Sequence, residues 1–181
     1  MNEEIDVLTE LGEFTGMTAS LQKCHQKGLW HRAVYAFIVN GNNEVLLQKR
    51  SNNKKLWPNK WDISVGGHVE SGELGIQALI RECKEELGIE VKKKEIQFIV
   101  STTSVYNHNE YINNHYDECY IIRKNINISQ LKLQSEEVSE AKYLKIDDII
   151  QKIDNSYDGL TEKTVSWHIF KKINKYLNED T

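Results

Sequence analysis

The sequence is short of several things that other protein classes need. Its 181 residues include one proline, Pro58, and three cysteines, Cys24, Cys83 and Cys119, an odd count at no metal-ligand spacing. That argues against a disulfide framework and a cysteine-based zinc module, and it fits reduced thiols in a cytoplasm. Basic residues number 23 against 27 acidic ones, for a formal net charge of −4. A mildly acidic chain has no electrostatic footprint for a phosphate backbone, so no nucleic-acid polymer is expected as a partner. No apolar run approaches membrane-spanning length, and the opening "MNEEIDVLTE" has neither a basic nor an apolar leader region. The expectation is a soluble cytoplasmic protein without a membrane partner.

What is present suffices for one domain with a true core: 39% hydrophobic and 9% aromatic residues. "EEIDVLTELGEFTGMT" reads as two short strands around a turn at Gly12, and "ASLQKCHQKG" as a helix ending at Gly28. "HRAVYAFIV", the turn "NGNN" and "EVLLQKR" predict a hairpin. The loop "SNNKKLWPNKW" leads to a short strand "DISV". A helix is expected from about Glu73 to Leu87, followed by strands near Ile96–Val105 and Tyr116–Arg123. "NISQLKLQSEEVSEAKYLKI" reads as loop plus a short strand. Helical patterns in "IDDIIQKI" and "TEKTVSWHIFKKINKYL" close the chain. Strands interleaved with a few helices predict an α/β (α+β) fold, a mixed sheet sandwiched between helices. The expected division is an N-terminal hairpin and helix over 1–30, a core over 31–160 and a C-terminal helix over 161–181.

The segment "GGHVESGELGIQALIRECKEELGI" carries the chemistry. As a helix it places Ile76, Leu79, Ile80, Cys83 and Leu87 on one stripe that should pack on the sheet. Glu82, Glu85 and Glu86 fall on another arc at i, i+3 and i+4, with Ser71 and Glu73 at the start and Gly88 at the stop. Like charges so spaced cost roughly 0.2–0.5 kcal/mol per pair. Either solvent screens that cost, or a positive group sits among them.

Gly67, five residues, Glu73, seven residues and then Arg81-Glu82-Cys83-Lys84-Glu85-Glu86-Leu87-Gly88-Ile89 is a complete Nudix box. From about His31 to Asp148 the chain resembles Nudix hydrolases. The resemblance implies Glu82, Glu85 and Glu86 as metal ligands, with the Gly67 carbonyl added, and Arg81 orienting them through Glu73 or through Glu85. Grouped oxygen ligands suit the hard cations Mg²⁺ or Mn²⁺, which offset charge on a diphosphate as water attacks phosphorus. The general base of such enzymes comes from the box helix or a later loop. In "QSEEVSEAKYLKIDDI", Glu137 is the best-placed candidate, with Glu136 and Glu140 as competitors. The implied substrate is a small-molecule diphosphate, nucleoside-diphosphate-linked or related, with Lys55 and Tyr116 as candidate substrate contacts. Its recognition is expected in "VYNHNEYINNHYDE", read as a polar stretch between two strands. A homodimer is compatible with these features.

"GLWHRAVYAFIVN", "LLQKRSNNKKLWPNKWDISVGGH" and "SWHIF" are also similar to isopentenyl-diphosphate isomerases, which makes an isomerase-like prenyl-diphosphate enzyme the alternative. In those isomerases three histidines at the places of His25, His31 and His68 bind a metal; with Glu118 they would give a four-ligand second site. Trp167 matches a tryptophan that faces a carbocation-like intermediate. The isomerase thiol, however, falls at Gly66. Of its two strand glutamates only Glu118 has a clear counterpart, the other place holding Tyr116. Proton transfer at carbon has lost its acid–base group while phosphoryl chemistry keeps its own, which favours the hydrolase.

Overall fold

The computed structural model describes residues 3–108, 111–161 and 167–179, with backbone alone at 167, 168 and 179. Strand β3 (His31–Val39) carries an unbroken apolar run, Ala33 to Val39, all of it buried. A strand needs such a run only when both of its faces are covered. It lies at the centre of a mixed sheet ordered β5 (Trp61–Asp62), β4 (Glu44–Arg50), β3, β8 (Tyr111–Arg123), β7 (Ile96–His108). Strand β6 (Val65–His68) pairs with β3 and β9 (Val138–Lys145) with β4; the β3–β8 pair is parallel and its neighbours antiparallel.

On one face, Val34, Ala36 and Ile38 pack against helix α2 (Gly75–Leu87). On the other, Tyr35, Phe37 and Ile121 pack against α3 (Ile146–Asp154) and α4 (Trp167–Glu179), with the Phe37 and Phe170 rings edge-on at 5.2 Å. This is a helix–sheet–helix sandwich with a core on each face. A separate antiparallel pair, β1 (Glu4–Leu8) with β2 (Phe14–Ser20), and the short helix α1 (Leu21–Lys27) precede it. Ser20 caps α1, and Gly28 ends it at φ +63°, a left-handed conformation that glycine adopts at little cost.

Two expectations need correction. "DISV" divides into β5 and β6, because Ile63 and Ser64 leave the ladder and Ser64 Oγ instead accepts from Ile38 N–H at 2.8 Å. The expected polar loop is largely strand: β7 runs to His108 and β8 starts at Tyr111. Its period of two was masked because the inward positions Asn113, His115 and Asp117 are polar yet buried. No helix among the described residues is long and apolar enough to cross a membrane.

Candidate active site

Helix α2 starts two residues later than expected. Its N-cap is Leu74, whose N–H donates to the Gln77 side chain at 2.9 Å. Ser71 turns instead to Asp6, at 2.7 Å, and Glu73 to Arg81. The stripe in the sheet core is Gly75, Ala78, Leu79, Cys83 and Leu87; Ile76 and Ile80 are only half-buried. Glu86 is buried beside that stripe, which sets it apart from the other two glutamates.

Arg81 gathers the acidic side chains. Its guanidinium donates to Glu73 at 3.1 and 3.3 Å, to Glu82 at 2.7 Å, to Glu85 at 3.3 Å and to the His68 carbonyl at 2.9 Å. The two proposed routes of orientation, through Glu73 and through Glu85, are therefore both present. Gly67 lies directly beneath: a Cβ there would stand 2.1 Å from the Glu82 carboxyl. Glycine leaves this space to the Glu82 carboxyl, which any larger residue would have to displace.

One cation does not balance this group. Burial foremost, then the charges of Glu85 and Glu3, pushes Glu82 up to about 7 against the pull of Arg81. Burial again, then the charges of Glu82 and Glu137, pushes Glu86 up to about 8. Gln48 Nε2 and the Gly66 N–H, at 3.3 and 3.4 Å, are the donors that hold Glu86. Carboxylates crowded together and removed from water, beside a glycine cradle, fit a hard divalent cation.

Gly66, Gly67, Glu82, Glu85 and Glu86 line a cavity of about 570 Å³, with Glu3 added from the N-terminal segment. Arg50, Lys54 and Lys55 stand in the same cavity together with Trp57, Tyr106, Tyr111, Glu136 and Glu137. Lys54 is paired with Glu137. Glu140 pairs with Lys49 on the β4–β9 ladder at 3.8 Å and is not part of this lining.

His25 and His68, which also line this cavity, converge with His31 and His115, one ligand atom of each lying within 4.8 Å of the others. The fourth member is His115, not Glu118. His31 and His115 are cross-strand partners on β3 and β8, their rings edge-on at 4.4 Å. Successive strand residues point to opposite faces, so Glu118, three positions on, faces α2 instead. Its partners are Arg32, at 3.6 Å, and Tyr120. The His31 Nδ1–H donates to the Leu29 carbonyl at 2.7 Å, the kind of outer contact that orients a metal-binding imidazole.

Tyr116 also faces away from the acidic cavity. Its hydroxyl donates to the Glu10 carbonyl at 2.7 Å and its ring lies against Trp30, tying the first hairpin to the sheet. Trp167 opens α4, but its side chain lies outside the described residues. Sequence reasoning missed His115, Glu3, Arg50 and Tyr111. For His115 the signal was hidden, because Asn113 and Asp117, its neighbours on the same strand face, are polar as well.

The comparisons with known proteins bear on the family and the fold. The family model described as "NUDIX domain" matches residues 29–164. Nudix hydrolase 3 of Arabidopsis thaliana is 37% identical over 147 residues, 78% of this chain, which spans only 19% of the plant protein. An isopentenyl-diphosphate Delta-isomerase of Shigella boydii is 28% identical over 152 residues, covering 84% of this chain and 82% of the isomerase. The crystal structure of DR0079 from Deinococcus radiodurans superposes with a TM-score of 0.76 at 22% identity, over 94% of this chain and 99% of that one.

Proposed function

This chain belongs to the Nudix hydrolase family, and from that premise we propose that it cleaves the diphosphate linkage of a nucleoside-diphosphate-linked or related small molecule, with Mg²⁺ or Mn²⁺ as cofactor. The observation that carries this reading is the shared cavity: Glu82, Glu85 and Glu86 line it together with Arg50, Lys54 and Lys55. The three glutamates and the Gly67 carbonyl would hold the cation, which when bound supplies Lewis-acid neutralisation of the diphosphate oxygens. Lys54, Lys55 and Arg50 receive the remaining phosphate charge. Glu137 takes a proton from the attacking water as the new oxygen–phosphorus bond forms. The bridging phosphorus–oxygen bond breaks and its electron pair leaves with the departing phosphate. A substrate phosphate that draws Lys54 to itself releases Glu137 from its present ion pair.

The test is a hydrolysis screen with Mg²⁺ and with Mn²⁺ over nucleoside triphosphates, nucleotide sugars, dinucleoside polyphosphates, dinucleotide cofactors and prenyl diphosphates. Cation-dependent release of phosphate-containing products supports the reading. Isomerisation of a prenyl diphosphate without hydrolysis would replace it.

The four imidazoles favour a second cation besides the first. Neutral nitrogen donors suit Zn²⁺ or Mn²⁺ better than Mg²⁺, and four of them can complete a tetrahedral shell. Protein purified without chelator should retain a transition metal that His31→Ala loses. Retention by neither protein, or equally by both, would leave the histidines a structural or substrate-contacting role.

A further inference from the structure

Glu118 is a half-buried carboxylate that neither metal site uses, and its surroundings give it other work. The first turn of α2 carries no acidic residue, and Leu74 supplies no side-chain cap. The Glu118 carboxylate of strand β8 lies against that first turn: a Cβ on Gly75, the first residue of the helix, would lie 2.1 Å from Glu118 Oε2. Negative charge is favourable there because the helix macrodipole ends positive.

Arg32 joins this carboxylate to the acidic cluster. One of its Nη atoms is 3.6 Å from Glu118 Oε1, and the other donates to the Glu73 carbonyl at 2.7 Å. The guanidinium is fixed further by the Phe14 ring, whose centroid is 5.3 Å away, and the Arg32 carbonyl accepts from Val69 N–H at 3.1 Å. Glu73 is thus held at both ends, its carbonyl by Arg32 and its carboxylate by Arg81. Arg81 in turn spaces Glu82 and Glu85.

We propose that Glu118 and Arg32 are positioning residues that set the seat of α2, and through Glu73 and Arg81 the spacing of the cation-binding carboxylates. The proposal rests on the reading of Glu82, Glu85 and Glu86 as cation ligands. Neither residue touches the cation or the substrate.

The experiment titrates the full chain with Mn²⁺ by electron paramagnetic resonance, taking the component lost in Glu85→Gln as binding at α2. Arg32→Met and Glu118→Gln should each weaken that component about three- to tenfold, less than the 10- to 100-fold common when a ligand's own partner is removed. The double variant should weaken it by less than the product of the two. Lys124→Met removes a comparable half-buried ion pair, to Glu95 at 2.9 Å, that is not made to the first turn of α2, and it should leave Mn²⁺ binding unchanged. Hydrogen exchange over residues 75–82 provides a readout that needs no cation, and should quicken in Arg32→Met and Glu118→Gln alone. Unchanged affinity in the two folded variants, equal weakening in Lys124→Met, or unchanged exchange would each overturn the proposal. If Glu85→Gln leaves Mn²⁺ binding intact, the active-site reading fails by itself, and the exchange data still decide whether the pair seats the helix.

Discussion

Glu86→Gln separates what the buried carboxylate does for catalysis from what it costs the fold. Glu86 is 6% exposed and its carboxyl is pushed up to about 8, against an ordinary carboxylate value near 4.3 in the unfolded chain. Between those two values the folded protein keeps a proton that the unfolded chain releases, so stability falls as pH rises across the window. At 1.36 kcal/mol per pKa unit the accumulated penalty by pH 8 is roughly 3 to 5 kcal/mol. Glutamine has the same shape, can still accept from Gln48 and Gly66, and never ionises. In chelator the variant should therefore match the parent at pH 5 and surpass it at pH 8. At roughly 2–4 °C per kcal/mol for a chain of this size, the Tm difference at pH 8 is about 6–20 °C. Saturating Mg²⁺ should restore the parent at pH 8 and leave the variant nearly unmoved, while the variant's turnover collapses. Thermal melts at pH 5, 6, 7 and 8, with chelator and with Mg²⁺, decide the matter. A parent that in chelator is no less stable at pH 8 than at pH 5, relative to the variant, would refute the reasoning.

Other substitutions probe the rest of the site. Glu85→Gln should lower kcat about a hundredfold or more in steady-state assays yet shift stability by no more than about 0.5 kcal/mol, because half of this side chain is exposed. Gly67→Ala should displace the Glu82 carboxyl, which stands 2.1 Å from the new Cβ, and raise the Mg²⁺ concentration needed for half-maximal activity. Neither the parent nor Gly66→Cys should interconvert isopentenyl and dimethylallyl diphosphates in a product assay. In the variant the new Cβ meets the Tyr35 ring at 2.9 Å, an overpacking expected to cost about 1–3 kcal/mol in a denaturant melt.

Local pattern carried much of this protein. The period of α2, the left-handed glycine after it and the spacing from Gly67 to Ile89 follow from near-neighbour geometry, so the helix and its three glutamates were legible from residues alone. The partners of Arg81 were legible as alternatives, since Glu73 and Glu85 both lie within its reach along the chain. The double role was not, because it depends on how the 70–74 turn closes back over the helix. Ser71 illustrates the limit: it has the chemistry of an N-cap, but Asp6 on a different strand claims its hydroxyl.

Strand parity defeated the rest. Glu118 and His115 are three residues apart, and which of them joins His25, His31 and His68 depends on which face of β8 meets which face of β3. In an apolar strand, alternating hydrophobicity reveals that choice; here the inward residues Asn113, His115 and Asp117 are themselves polar, and the signal vanishes. Composition and spacing determined the family, the acidic helix and its expected taste for a hard cation, because those rest on contacts within some twenty residues. Only the tertiary structure decided that a fourth histidine completes the imidazole cluster, that Tyr116 and Glu118 serve the N-terminal hairpin and the seat of α2, and that Arg50 and Lys54 share the cavity of the glutamates. Those pairings join residues distant in sequence, and sheet register, not local propensity, sets them.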